Sequence, residues 1–223
     1  CGYQNKLNLV AIFFLLLYGT VSIFLLEYSN YNNLGIERFS EKLMVSFSQS
    51  VFSRTAGFST IDLTKFSQTT LFVFITLMFV GTSPGSTGGG VKTNTFGIIM
   101  AALFSLLRGN KDINIFHRRI SLDVVFRSYA LFTLWIFLIV GSTALLISFE
   151  PFTFLNMLFE VTSAVSTTGL SVGISTALTD TGKIIFIGLM FIGRIGIFTF
   201  LLSFSLRRKK GIYHYPVGKF KIG

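Results

Sequence analysis

Thr82-Ser83-Pro84-Gly85-Ser86-Thr87-Gly88-Gly89-Gly90-Val91-Lys92-Thr93 lies between two apolar stretches, Phe66–Gly81 and Phe96–Leu107. A proline, four glycines and a lysine do not suit the interior of a lipid-facing helix. At membrane depth, irregular backbone is tolerated only where protein buries it or where it lines a water-filled cavity. The loop therefore marks a pathway for something polar, and the chain reads as a transporter or channel.

The rest of the composition agrees. Just over half of the residues are hydrophobic and 13% are charged, too few to cover a water-soluble surface. The runs Leu9–Leu26, Ser128–Phe149 and Ile184–Leu206 reach or exceed the roughly 18 apolar residues that suggest a membrane span, although Arg194 interrupts the last. The formal charge is +10, which by itself would suit nucleic acid, but its distribution argues against that. Arg108, Lys111, Arg118, Arg119 and Arg127 cluster in one connection, and Arg207, Arg208, Lys209 and Lys210 in the tail. Glu27, Glu37, Glu41, Asp62, Glu150 and Asp180 fall elsewhere. This is the positive-inside pattern, which puts 108–127 and the C-terminal tail in the cytoplasm. The tail also suits anionic lipid. Cys1 is the one cysteine, so there is no disulfide framework. With no initiator methionine, the chain reads as part of something longer. Leu9–Leu26 has the composition of a signal-peptide core but no clean cleavage site. Glu27-Tyr28-Ser29-Asn30 reads as a helix exit into water, so the run is taken as a span.

Two halves follow one order. In the first, a span is followed by the polar segment Tyr28–Glu41, a short apolar piece Lys42–Ser53, Arg54-Thr55-Ala56-Gly57-Phe58, a polar exit Ser59–Lys65 and re-entry at Phe66. In the second, a span broken at Glu150-Pro151 leads to Phe152–Val165, Ser166-Thr167-Thr168-Gly169-Leu170, the exit Ser171–Lys183 and a last span. Aligning Gly57 with Gly169 also matches Leu43 with Leu155, Phe47 with Phe159, Thr55 with Thr167 and Ser59 with Ser171, which supports an internal repeat. The short pieces cannot cross a bilayer but suit re-entrant helices. Two unrelated extracellular loops would be the plainer reading.

A re-entrant helix that stops inside the membrane aims its partly negative C-terminal end at the pore. The residues after it, if extended, can turn carbonyls to the axis and replace a cation's hydration shell. Glycine admits unusual backbone angles and close approach. Threonine can add a hydroxyl at the inner edge. Backbone dipoles need no carboxylate ring, in keeping with the absence of acids from 54–58 and 166–170. Two such units do not close a fourfold pore.

Together, Arg54–Phe58, Ser83–Thr93 and Ser166–Leu170 resemble motifs of the Trk/Ktr/HKT superfamily of potassium transporters, most of all the bacterial Ktr membrane subunit, in the family's order and over nearly the whole chain. The resemblance implies an all-α membrane protein with a potassium-channel-like pore of fourfold pseudosymmetry. This chain would supply the third and fourth span–pore helix–filter–span repeats, at 1–110 and 111–223, with two more filter segments elsewhere. Thr55, Ala56, Gly57 and Phe58 with Thr167, Thr168, Gly169 and Leu170 would be two of four filter strands, binding potassium through backbone. The broken inner span of the third repeat would form a gate from Gly85, Ser86, Thr87, Gly88, Gly89, Gly90 and Lys92, with Arg194 of Gly193-Arg194-Ile195-Gly196 near it. The resemblance further implies potassium uptake across a bacterial plasma membrane, with sodium as a possible coupling or activating ion. It also implies a homodimer of the full-length subunit and a cytoplasmic ring of nucleotide-sensing regulatory subunits. The basic 108–119 connection would be a candidate contact for that ring, and Pro216–Gly223 would tuck in at the dimer interface.

Physical argument gives the two cations a role as well. An intramembrane arginine is costly and normally faces a cavity or a partner. Lys92 adds a second positive charge, and the two would oppose cation passage when the loop is closed. The plainer readings are an arginine bonded to helix-end carbonyls and a lysine snorkelling to the interface. Glu160 reads as hydrogen-bonded behind the filter, with direct ion ligation as the alternative, and Trp135 as packing. Gly85–Thr93 is not a nucleotide-binding P-loop, because Val91 separates Gly90 from Lys92 and no strand precedes it. His117 and His214 lack metal-ligand spacing, and no nucleophile–base set occurs, so no enzyme is expected. The alternatives to ion transport are a secondary transporter of an organic solute with broken helices at a midplane site, and a non-transporting membrane scaffold.

Overall fold

The computed structural model describes residues 3–28, 30, 38–59, 61–109, 112–115 and 118–196. Cys1, Glu37, Lys111, His117, His214, the basic run Arg207–Lys210 and the ending Pro216–Gly223 lie outside them.

Helix α1 (Tyr3–Glu27) and helix α5 (Leu122–Ile147) have mean hydropathy of 2.6 and 2.4 in their apolar windows. At 1.5 Å per residue each is about 37–39 Å long, enough to cross a hydrocarbon core of about 30 Å. Helices α2 (Phe39–Phe52) and α6 (Phe154–Val165) are the two short apolar pieces. At roughly 18–21 Å neither can span. The inner span of the first unit is broken into α3 (Gln68–Phe79) and α4 (Thr93–Leu107), with the glycine-rich loop between them. Helix α7 (Asp180–Ile195) is the inner helix of the second unit. Between the units, the basic connection carries a small antiparallel ribbon of β1 (Asn114–Ile115) and β2 (Arg118–Arg119). An exposed Asp112–Arg119 ion pair at 2.9 Å lies beside it, a kind of contact worth little to stability.

The units interlock through α3 and α6. Helix α3 packs against α1 of its own unit and α6 of the other, and α6 in turn packs against α5 and α7. Phe74, Leu77 and Met78 of α3 and Met157, Phe159 and Val161 of α6 are almost wholly buried, and the Phe74 and Phe159 rings meet edge to face at 6.4 Å. The most buried helices are thus α3 and α6. The long α1 and α5 instead expose Phe13, Phe14, Phe126 and Phe137, an apolar surface that suits lipid rather than water.

The ends of the outer helices correct one sequence expectation. Glu27 does not exit into water: it is fully buried. Its carboxylate accepts from the Ser67 backbone N–H at 3.0 Å and the Thr70 hydroxyl at 2.5 Å, at the start of α3. Glu150, also buried, accepts from the N–H of Thr179 at 3.0 Å and its hydroxyl at 2.5 Å, at the start of α7. Ser67 and Thr179 are N-caps and occupy the same position in the repeat that pairs Gly57 with Gly169. In each unit, then, a buried glutamate at the end of the outer helix satisfies orphan donors at the start of the inner one. It also lies near that helix's positive dipole end.

Candidate ion pathway

Each short helix hands over to its Thr-x-Gly segment in the same unusual way. Among the described residues, Thr55 and Thr167 are the non-glycine residues with positive φ, at 61° and 55°; Gly57 and Gly169 follow at 72° and 86°. Ala56 and Thr168, between them, do not share that sign. Extended strands, which the sequence allows here, alternate side chains and carbonyls from face to face. The backbone instead alternates in the sign of φ, positive at the threonine and the glycine and not at the residue between them. A β-branched threonine resists left-handed angles, so two of them at matched positions mark segments held by their surroundings.

The two segments meet at their glycines. A Cβ on Gly57 would sit 2.9 Å from the Thr168 carbonyl oxygen, and one on Gly169 would sit 3.4 Å from the Gly57 Cα. Behind the second segment, Ser163 donates to the Leu170 carbonyl at 2.6 Å, which turns that carbonyl toward α6. Glu160 accepts from the Ser171 hydroxyl at 2.5 Å, the Val172 N–H at 2.9 Å and the Ser175 hydroxyl at 3.1 Å. Behind the first segment, Gln49 donates to Ser59 at 3.4 Å. Phe58 is exposed, with its ring edge to face on Phe52 at 6.4 Å.

The glycine-rich loop lies directly against both threonines. Its neck is closed by backbone bonds from Gly81 N–H to Val91 O at 2.9 Å and from Val91 N–H to Phe79 O at 3.0 Å. At its tip, Gly89 N–H donates to the Thr167 hydroxyl at 2.8 Å. A Cβ on Gly88 would meet the Thr55 methyl at 3.0 Å, and one on Gly89 would lie 2.6 Å from the Val165 carbonyl, so side chains are excluded there. Gly85 turns with φ 86° and is open on all sides.

Three cations organise this loop. The Lys92 ammonium folds back to the Gly88 carbonyl at 2.5 Å and the Ser86 carbonyl at 3.0 Å. That differs from snorkelling. Arg194 donates to the Thr87 carbonyl at 2.8 Å. Arg54, which the sequence shows only as part of a motif, donates to the Gly81 carbonyl at 2.8 Å. Beneath the loop, a cavity of about 320 Å³ is lined by Lys92, Trp135, Gly193 and Arg194 among others. Trp135, expected to be packing, is buried and also forms part of that wall. The described residues hold no cluster of three or more histidine, cysteine or acidic groups that would suit a transition or divalent metal.

Residues 6–213 match the profile of the family described as TrkH, cation transport protein. The chain is 39% identical to Ktr system potassium uptake protein D of Bacillus subtilis (strain 168), over 98% of this chain and 48% of that protein. It is 38% identical to Ktr system potassium uptake protein B of Vibrio alginolyticus, over 96% of this chain and 47% of the relative. It is 35% identical to potassium/sodium uptake protein NtpJ of Enterococcus hirae, over 94% and 48%. The fold is similar to the crystal structure of the potassium transporter TrkH from Vibrio parahaemolyticus, with a TM-score of 0.74 at 21% identity, covering 87% of this chain and 43% of that one. The chain spans about half the length of the curated relatives it matches. A family of this kind moves ions and does not catalyse covalent chemistry. With its two matched Thr-x-Gly segments, its broken helix α3–α4 and its long apolar helices α1 and α5, the chain is an all-α membrane protein that belongs to the TrkH family of cation transport proteins.

Proposed function

We propose that this chain forms two of four units of a gated potassium-uptake pore in a bacterial plasma membrane, as residues 1–110 and 111–223. Thr55–Phe58 and Thr167–Leu170 are the filter segments in this reading. Gly85–Gly90 with Lys92 and Arg194 is the gate. The observation that carries it is the matched left-handed backbone at Thr55, Gly57, Thr167 and Gly169, which suits carbonyl coordination of a bare monovalent cation. The names of the relatives, two of them potassium uptake proteins and one a potassium/sodium uptake protein, favour potassium as the cargo and allow sodium as a coupling or activating ion. The remaining two units would come from the other half of a longer subunit, working as a homodimer with a cytoplasmic nucleotide-sensing ring. The basic 108–119 connection is a candidate contact for the ring.

The test is cation flux through the full-length parent protein in sealed vesicles. Potassium uptake that needs no organic solute, and that exceeds sodium uptake, is the expected result. Uptake that requires an organic co-substrate would favour the secondary-transporter reading, and no flux at all would favour the scaffold.

A further inference from the structure

The two filter segments are fastened from behind by chemically different groups. In the first unit Gln49, a neutral amide, donates to Ser59. The repeat position of Glu160 is there occupied by Ser48, whose hydroxyl bonds the Val45 carbonyl of its own helix at 2.8 Å. In the second unit the same task falls to Glu160, only 5% exposed. Its donors include Ser171, Val172 and Ser175, which all follow Leu170 closely, and Ser163, one turn further along α6, holds the Leu170 carbonyl. One face of α6 thus fixes the whole 170–175 stretch.

A buried carboxylate is costly unless it is paired with a cation or fully hydrogen-bonded. Among the described residues, no ion pair involves Glu160. Lys183 and Arg194 line the same cavity of about 720 Å³, but the Lys183 ammonium lies 3.3 Å from Asp180 and Arg194 donates to the Thr87 carbonyl. A neutral group does the tethering in the other unit, so tethering alone does not call for a charge. What a carboxylate adds is a full negative charge in a low-dielectric wall beside Gly169 and Leu170, which line that cavity with it. There it acts on a nearby ion far more strongly than it would in water.

We infer that Glu160 is a positioning residue for the second filter segment, and that its charge raises the pore's affinity for a monovalent cation without touching the ion. The inference rests on the pore reading above. The test compares wild type, Glu160→Gln and Glu160→Asp in the full-length protein in vesicles, with potassium as the probe and uptake measured across a concentration series. Glu160→Gln should raise KM about tenfold, about 1.4 kcal/mol, with a smaller fall in kcat. Glu160→Asp, which keeps the charge on a shorter arm, should restore KM toward the wild-type value while losing part of the potassium-over-sodium ratio. A wild-type KM in Glu160→Gln overturns the inference. So does equal impairment of KM in both variants, which would make Glu160 a tether and nothing more. A wild-type protein that moves no potassium overturns the pore reading itself, a result distinct from either.

Discussion

The Gly89 backbone N–H and the Thr167 hydroxyl are hydrogen-bonded at 2.8 Å, so the loop that interrupts the inner helix is fastened to the segment above it. Removing Gly88–Gly90 takes away that bond and the tip that fills the space between Thr55 and Thr167. We expect cation flux through the full-length parent to rise several-fold, read as tracer uptake in vesicles. A single neutral hydrogen bond contributes about 1 kcal/mol net, roughly a fivefold change in a closed–open equilibrium. Unchanged flux would count against a gating role.

Arg194 should be the stronger latch, because its bond to the Thr87 carbonyl is charge-assisted. Such bonds contribute about 1.5–3 kcal/mol. Arg194→Gln should therefore raise cation flux by roughly tenfold or more, read as tracer uptake in vesicles. Arg194→Lys should reverse part of that rise and not all of it, since an ammonium lacks the planar fork. Equal rates in wild type and Arg194→Gln would show that Lys92 and Arg54 hold the loop without it.

The glycines of the two Thr-x-Gly segments should differ in sensitivity. Both carry positive φ, where an L side chain costs about 1–2 kcal/mol. A Cβ on Gly57 would also sit 2.9 Å from the Thr168 carbonyl oxygen, whereas the nearest atom to a Cβ on Gly169 lies at 3.4 Å. Gly57→Ser should lower the potassium-over-sodium ratio more than Gly169→Ser does. The order is read from paired uptake assays, and the reverse order would refute the geometry.

The buried glutamates are expected to matter for stability more than for transport. Glu27→Ala strands the Ser67 N–H and leaves the Thr70 hydroxyl with only Ser67, and Glu150→Ala strands both donors of Thr179. Each should cost about 1–3 kcal/mol, seen as a lower melting temperature in detergent by the fluorescence of Trp135. A melting temperature unmoved by both changes would show that water replaces the carboxylates without loss.

Much of this architecture can be read from the chain. The apolar runs give α1, α3, α5 and α7 because composition alone decides what can sit in lipid. The short pieces that end in Thr-x-Gly give α2 and α6 because their length forbids crossing. What sequence hides is long-range. Glu27 at the end of an apolar run looks like an exit into water, and only its partners some forty residues on make it a cap. The repeat register pairs Glu27 with Ile139 and not with Glu150, so alignment conceals the equivalence as well. Lys92 looks like an interfacial lysine until the loop folds its own carbonyls around the ammonium. The backbone handedness at Thr55 and Thr167 runs against what a β-branched residue prefers, so no propensity argument reaches it.

The glutamate clasps have a bearing on engineering. They align outer and inner helices through space, and they do so although the stretch between outer helix and re-entrant helix is longer in the first unit than in the second. Alignment therefore does not depend on the length of that stretch. The connection after Tyr28 is accordingly the place to carry a reporter: an epitope or fluorophore tag spliced there should leave both Thr-x-Gly segments and the glycine-rich loop where they are.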